Sequence, residues 1–347
     1  MGVFTSISRR PRFRSWQNLS LVGLLGFTVV AVIGYGTFAL HPQLLAGYPK
    51  LAEFYGISYA FFAQVHVWLT GLVIGLYLID RTGLRWVSAF AWVYMVSLTS
   101  ELVGTGYGLP FGEYAYTDLL GAQWFGKVPI VIPLSWFAMA LPAYGLASYR
   151  FEADQQWIAR TGYATALLVA WDLSLDPAMS YLTAYWQWAE SGAYYGMPLI
   201  NLFGWALTGG VIMGIFEVLN VRDWIYQTSP GWMRAYYLIV LAMPVGMLVA
   251  AGAWTGVVAT TVVVGSLLWM SRSSTLNRPV NPSANGHPSR TGRALDPEDS
   301  SVPRAFFRHH SRSFSFAALW FAQREYELVT CLYAFCRTTD DIVDQFD

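Results

Sequence analysis

Along the first 271 residues the chain alternates between windows of mostly apolar residues and short polar connections. The windows fall near 19–40, 59–79, 84–103, 128–148, 157–175, 199–219, 234–251 and 254–270. A helix needs roughly 20 such residues to cross a bilayer, so each window predicts one spanning helix. The expected fold is therefore all-α, a polytopic transmembrane bundle of about eight spans. The last two windows abut at Gly252, and one long kinked helix with seven spans is the alternative. The first window is 22 residues long and lacks a small-residue cleavage site, which predicts a retained helix rather than a removed signal.

Polar patterning then sets the domains. Residues 1–271 hold 24 charged side chains and residues 272–347 hold 18, a change from membrane-like to soluble-like density. Between the two parts, 272–303 is rich in Ser, Pro, Asn, Gly and Arg and predicts a disordered linker, followed by a short helical segment over 304–347. Alternating the loops places Arg9, Arg10, Arg12, Arg14, Arg81, Arg85, Arg150, Arg160, Arg222 and Arg234 on one side, against Lys50 and Lys127 on the other. The positive-inside rule makes the arginine side cytoplasmic, so both termini are expected there, in a multi-pass protein of the cell (inner) membrane. The whole chain is 55% hydrophobic with 21 basic and 21 acidic residues, which gives no field to attract nucleic acid. Cys331 and Cys336 lie together near the end, which excludes a disulfide framework for the rest.

Carboxylates inside apolar windows are costly and mark candidate chemistry. Glu101 ends the third span, and Asp172 and Asp176 end the fifth, at an i, i+4 spacing that shares a helix face before Pro177 ends or kinks the helix. All three are expected at one depth on the outer side, and His66 can reach that level. Each acid also reads as a helix-end group reaching the headgroups, and His66 as a hydrogen-bonded core histidine. Glu113 and Asp118 in the following loop are the alternative acids. Glu217 falls near the cytoplasmic end of the sixth span, away from the others. Two outer loops crowded with aromatic rings predict a lid over these groups, although interfacial belts have the same composition. Tyr107, Phe111, Tyr114, Trp171 and Trp186 are the candidate substrate contacts. A desolvated carboxyl can keep a proton at neutral pH, and ring faces stabilise a nearby cation. Together they suit protonation of an isoprenoid double bond, followed by water capture or cyclisation, with no metal, nucleotide or redox cofactor.

The stretches "ELVGTGYGLPFGEYAYTDLLG", "VPIVIPLSWF", "AWDLSLDPAMS" and "YYGMPLINLFGW" resemble the bacterial membrane carotenoid hydratases over about residues 54–219. That resemblance implies a hydro-lyase that adds water, without a cofactor, across the terminal 1',2' double bond of an acyclic carotenoid end group. It implies a lipophilic carotenoid and the bilayer as partners, with other enzymes of carotenoid biosynthesis. A lycopene-cyclase-like end-group cyclase is the alternative with the same protonation step, and a proton-coupled transporter is the non-enzymatic one.

The tail differs: "HSRSFSFAALWF" and "LYAFCRTTDDIVD" resemble the opening of a phytoene or squalene synthase, over about residues 305–347. The resemblance implies Asp340, Asp341 and Asp344 as ligands for the Mg2+ of a complete synthase, and Arg337 and Ser313 as substrate contacts. The chain ends three residues past that aspartate motif, so this segment is expected to be inactive by itself, either the fragment of a longer fusion or a truncated remnant.

Overall fold

The computed structural model describes residues 15–272, and the linker and synthase-like segment lie outside the described residues. The chain folds as helices α1 (Ser15–Gly34), α2 (Pro49–Thr82), α3 (Val87–Tyr107), α4 (Val131–Arg150), α5 (Trp157–Asp176), α6 (Ile200–Val218), the short α7 (Val221–Ile225), α8 (Pro230–Ala250) and α9 (Trp254–Arg272). Among the described residues, six stretches are long and apolar enough to cross a membrane: Trp16–Ala39, α2, α3, α4, α6 and α8. A bilayer core offers no partner for free N–H or C=O groups, so apolar runs of this length close their backbone bonds internally as helices. α5, which carries Arg160, Asp172 and Asp176, falls outside those six, and so does α9, whose apolar run is Trp254–Trp269.

Local signals set the boundaries. Pro49 and Pro230 occupy first-turn positions, where the missing N–H costs nothing, and Ser229 caps α8 by accepting from Trp232 N–H at 3.3 Å. Gly108 ends α3 in the left-handed region at φ +72°, returning its N–H to Gly104 O at 2.9 Å. Pro177 does end α5, but the chain continues as a π-helical turn, Pro177–Tyr181.

α4 is the central post: 83% of its apolar window is buried, against 22% for the window of α1. It packs against α2, α3, α5 and α8. Leu19, Val22, Ile33, Phe61, Leu72 and Phe203 point outward from the peripheral helices, as a lipid-facing surface requires.

α8 and α9 form a hairpin instead of one kinked helix. At one end of the bundle Ser229 N–H donates to Tyr77 Oη at 2.7 Å, Trp232 Nε1 donates to Gln17 O at 3.2 Å, and the Tyr77 and Trp232 rings stack at 3.6 Å. α8 then runs to the far end, and Gly252, at φ +70°, turns the chain back. α9 starts where Gly256 N–H meets Tyr195 Oη at 3.2 Å, and its other end receives the Tyr163 hydroxyl on Leu267 O. The first end also holds Arg160, bidentate on Glu217 at 2.6 Å for both contacts and capping the Phe151 and Ala153 carbonyls. Tyr144 Oη adds a bond to Glu217 at 2.9 Å. Glu217 therefore sits in a structural clamp far from the other acids along the helices.

Strands were absent from the sequence reading, yet the second end is organised by them. β1 (Tyr114–Tyr116) pairs antiparallel with β4 (Trp186–Trp188), and β2 (Gln123–Trp124) pairs with β3 (Val128–Pro129). The residues of β1 and β4 are aromatic at alternate positions, which puts their four rings on one face.

Candidate active site

The second end encloses a cavity of about 100 Å³ between α2, α3, α4, α5, α6 and α8, under the β1–β4 ladder. A single water needs roughly 10–15 Å³ of such space, so there is room for several waters or a small apolar group. Glu101, Asp176 and His66 all line it.

Glu101 is buried in the last turns of α3. Its Oε2 accepts from the Tyr114 hydroxyl and, at 2.8 Å, from the Tyr116 hydroxyl, while Oε1 accepts from Trp136 Nε1 at 2.9 Å. Gly104 makes this approach possible, since a Cβ there would lie 2.9 Å from both Phe111 Cδ2 and Tyr114 Oη. Tyr114 lies in the loop strand and its phenol is pushed well above its usual range, first by burial and then by the adjacent Glu101 carboxyl.

Asp176 closes α5. Its Oδ1 accepts from Trp186 Nε1 at 3.1 Å, Trp188 Nε1 at 3.2 Å and Ser180 Oγ at 3.0 Å. Its Oδ2 accepts from Asn201 Nδ2 at 2.6 Å, and the same nitrogen donates to Asp172 Oδ2 at 2.9 Å. One amide at the start of α6 thus bridges both aspartates, which confirms that i and i+4 share a face. Asp172 is fully buried behind Asp176, and its Oδ1 has no hydrogen-bond partner.

Rings close the remaining walls. Trp136 stacks on Trp205 at 4.2 Å, and Trp171 meets Trp205 edge-on at 6.1 Å. His66 Nε2 lies 3.0 Å from Thr28 Oγ1, whose one hydrogen is already given to Leu24 O at 2.9 Å. His66 must therefore donate through Nε2, which leaves Nδ1 as an acceptor.

The sequence candidates separate accordingly. Glu101, Asp176, His66, Phe111, Tyr114, Trp171 and Trp186 meet at the cavity, and Asp172 stands directly behind it. Tyr107 is 81% exposed and does not reach it. Glu113, the residue before β1, lines a separate surface groove with Gly108 and Trp188 and is not among the residues lining the cavity. Asp118 is exposed at the start of a short 3-10 turn. Arg337, Ser313, Asp340, Asp341 and Asp344 lie outside the described residues. Trp136 and Asn201 were missed: both stood inside quoted motifs, but neither is titratable, and only the fold shows that they serve the carboxylates.

Fold and site define a polytopic helical bundle enclosing a ring-lined cavity with two carboxylates. Residues 62–267 match the family described as "Carotenoid biosynthesis protein", and the chain belongs to that family. Residues 307–347 match "Squalene/phytoene synthase". A bisanhydrobacterioruberin hydratase from Haloarcula japonica is 35% identical over 152 residues, covering 42% of this chain and 49% of the relative. The chain thus spans about half the length of that curated relative. No solved structure matches.

Proposed function

We propose that the membrane bundle is a cofactor-free carotenoid hydratase, adding water across the terminal 1',2' double bond of an acyclic end group. The observation that carries this reading is the presence of Glu101 and Asp176 in one cavity, each held by a different set of donors.

The donor chemistry assigns the roles. Three of the four groups facing Asp176, the indole N–H of Trp186 and of Trp188 and the amide N–H of Asn201, cannot accept a proton, and the fourth is the Ser180 hydroxyl. Asp176 is the carboxylate, the counter-charge and the base. Glu101 Oε2 faces two hydroxyls, which can turn and accept, so that oxygen can carry the acidic hydrogen. Glu101 gives its proton to C2', the π electrons form the new C–H bond, and a tertiary cation develops at C1'. Trp136, Trp171 and Trp205 present ring faces to that charge. Water adds to C1' and passes its proton to Asp176, and the proton then returns from Asp176 to Glu101 before the next turnover. Alkene plus water gives the tertiary alcohol, with no electron acceptor consumed. Asp172, which touches only the far side of this arrangement, is a positioning residue.

For topology we adopt eight crossings, with α5 and α9 completing the six apolar spans, a cytoplasmic N-terminus, and the cavity near the extracytoplasmic face. The arginine asymmetry supports that orientation, and reporter fusions at Gly121 and Ser289 test it.

The test of activity is expression of the chain in cells accumulating lycopene, with mass measurement of the pigment. A gain of one water is expected. Unchanged mass with altered absorbance would mean cyclisation and overturn the hydration step.

A further inference from the structure

We infer that the groove between α1, α2 and α8 holds the polyene arm of the substrate and delivers its end group to the cavity from the lipid side. This deepens the reading above and rests on it for the nature of the ligand.

The groove has a volume of about 230 Å³ and adjoins the cavity, with Ala63 and Met243 lining both. Its other walls are almost wholly apolar, including Val30, Leu51, Phe62 and Met247. Few polar groups lie on it: Ser58 Oγ donates to Phe54 O at 2.7 Å, the Tyr185 hydroxyl donates to Tyr59 O at 3.1 Å, and the buried Tyr55 hydroxyl has no hydrogen-bond partner. A site with walls this apolar holds water poorly and takes an apolar guest. Tyr59 and Tyr185 stack at 5.8 Å with 8° between their planes, and Met243 and Met247 stand one turn apart on α8. Flat rings and polarisable thioethers together suit a flat conjugated chain.

The rim points to the direction of entry. Phe54 is 66% exposed, and Leu51 and Val30 are also exposed, on helices that belong to the membrane-crossing set. A carotenoid dissolved in the bilayer therefore reaches the groove sideways, without passing through water. The carboxylates wait at the inner end, where Ala63 separates groove from cavity.

Gly34 lines the groove, and a Cβ there would meet nothing within 4 Å, so a side chain can branch from this position into the groove. The full chain in lipid nanodiscs is mixed with lycopene, and bound pigment is measured by its absorbance after gel filtration. Wild type and Asp176→Asn are expected to retain lycopene, while Gly34→Phe lowers retention by roughly tenfold, a binding change of about 1.4 kcal/mol. Gly34→Cys, labelled after purification with a bulky maleimide, repeats the block on protein that has already folded, with unsubstituted protein as the control for Cys331 and Cys336. Retention undiminished in both blocked forms, or none in wild type, overturns the groove assignment. Retention without any gain of water in wild type would overturn the hydratase reading and leave the groove standing.

Discussion

Tyr116 and Trp186 are register partners across the β1–β4 ladder, with ring centroids 5.9 Å apart, yet they serve different acids. Tyr116 donates to Glu101 and Trp186 to Asp176, and the next pair, Tyr114 and Trp188, repeats the division. A ladder three residues long thus fixes the two carboxylates relative to each other, although they come from helices far apart in sequence.

Glu101→Gln is expected to lower hydration by about two to four orders of magnitude, the usual contribution of a positioned proton donor. Pigment mass spectrometry on membranes with matched protein content checks it, and activity near wild type would remove Glu101 from the role of acid. Trp136→Phe, which loses only an N–H to the other oxygen, is expected to cost far less than Tyr114→Phe combined with Tyr116→Phe.

Asp176→Asn places an amide among mostly pure donors, the indoles of Trp186 and Trp188 and the Asn201 amide, and is expected to abolish turnover while polyene is still bound. Comparing conversion with lycopene retention separates this outcome from loss of the fold.

Asn201→Ala removes the one donor shared by Asp172 and Asp176 and leaves buried carboxyl oxygens unsatisfied. A loss of about 1–3 kcal/mol is expected, with lowered activity. Thermal unfolding in detergent reads the stability, and Asn201→Gln is expected to rescue less than half of it, because the longer side chain misplaces the amide.

Arg160→Ala breaks a buried pair at the opposite end and is expected to cost about 3–5 kcal/mol. Removing Glu217 as well should recover part of that loss, since no uncompensated charge is then left. In protein that folds, the pigment mass shift should be unchanged, because this clamp does not touch the cavity.

Alkaline titration tests Tyr114. Its folded-state value is raised above 10.0, so the neutral phenol stabilises the fold, and that contribution is fully present below about pH 10. Above pH 10 the unfolded chain ionises first and the stabilisation declines as pH rises toward the folded value. Ultraviolet difference spectra should show Tyr114 absent from the tyrosines ionising near pH 10, and Tyr114→Phe should leave that early class unchanged.

Much of this architecture was readable beforehand, because a bilayer leaves few options for an apolar run: the windows foretold the helices, and charge in an apolar block foretold Glu101, Asp172 and Asp176. Aromatic density foretold a cover but not its form. Tyr114, Tyr116, Trp186 and Trp188 read equally well as an interfacial belt, and a strand three residues long gives too short an alternation to recognise. Asn201 and Trp136 meet the carboxylates only through partners 25 and 35 residues away. The hairpin at Gly252 could not be told from a kink, since both place glycine between apolar runs.

The ladder also bears on how the protein is made. Glu101 leaves the ribosome 13 residues before Tyr114 and 35 before Trp136, and Asp176 leaves 25 residues before Asn201. During synthesis each acid therefore reaches the translocon ahead of every group that will satisfy it. Glu101 has its donors once α4 has arrived, whereas Asp176 waits for Asn201 at the start of α6, so this half of the chain cannot settle strictly one helix at a time.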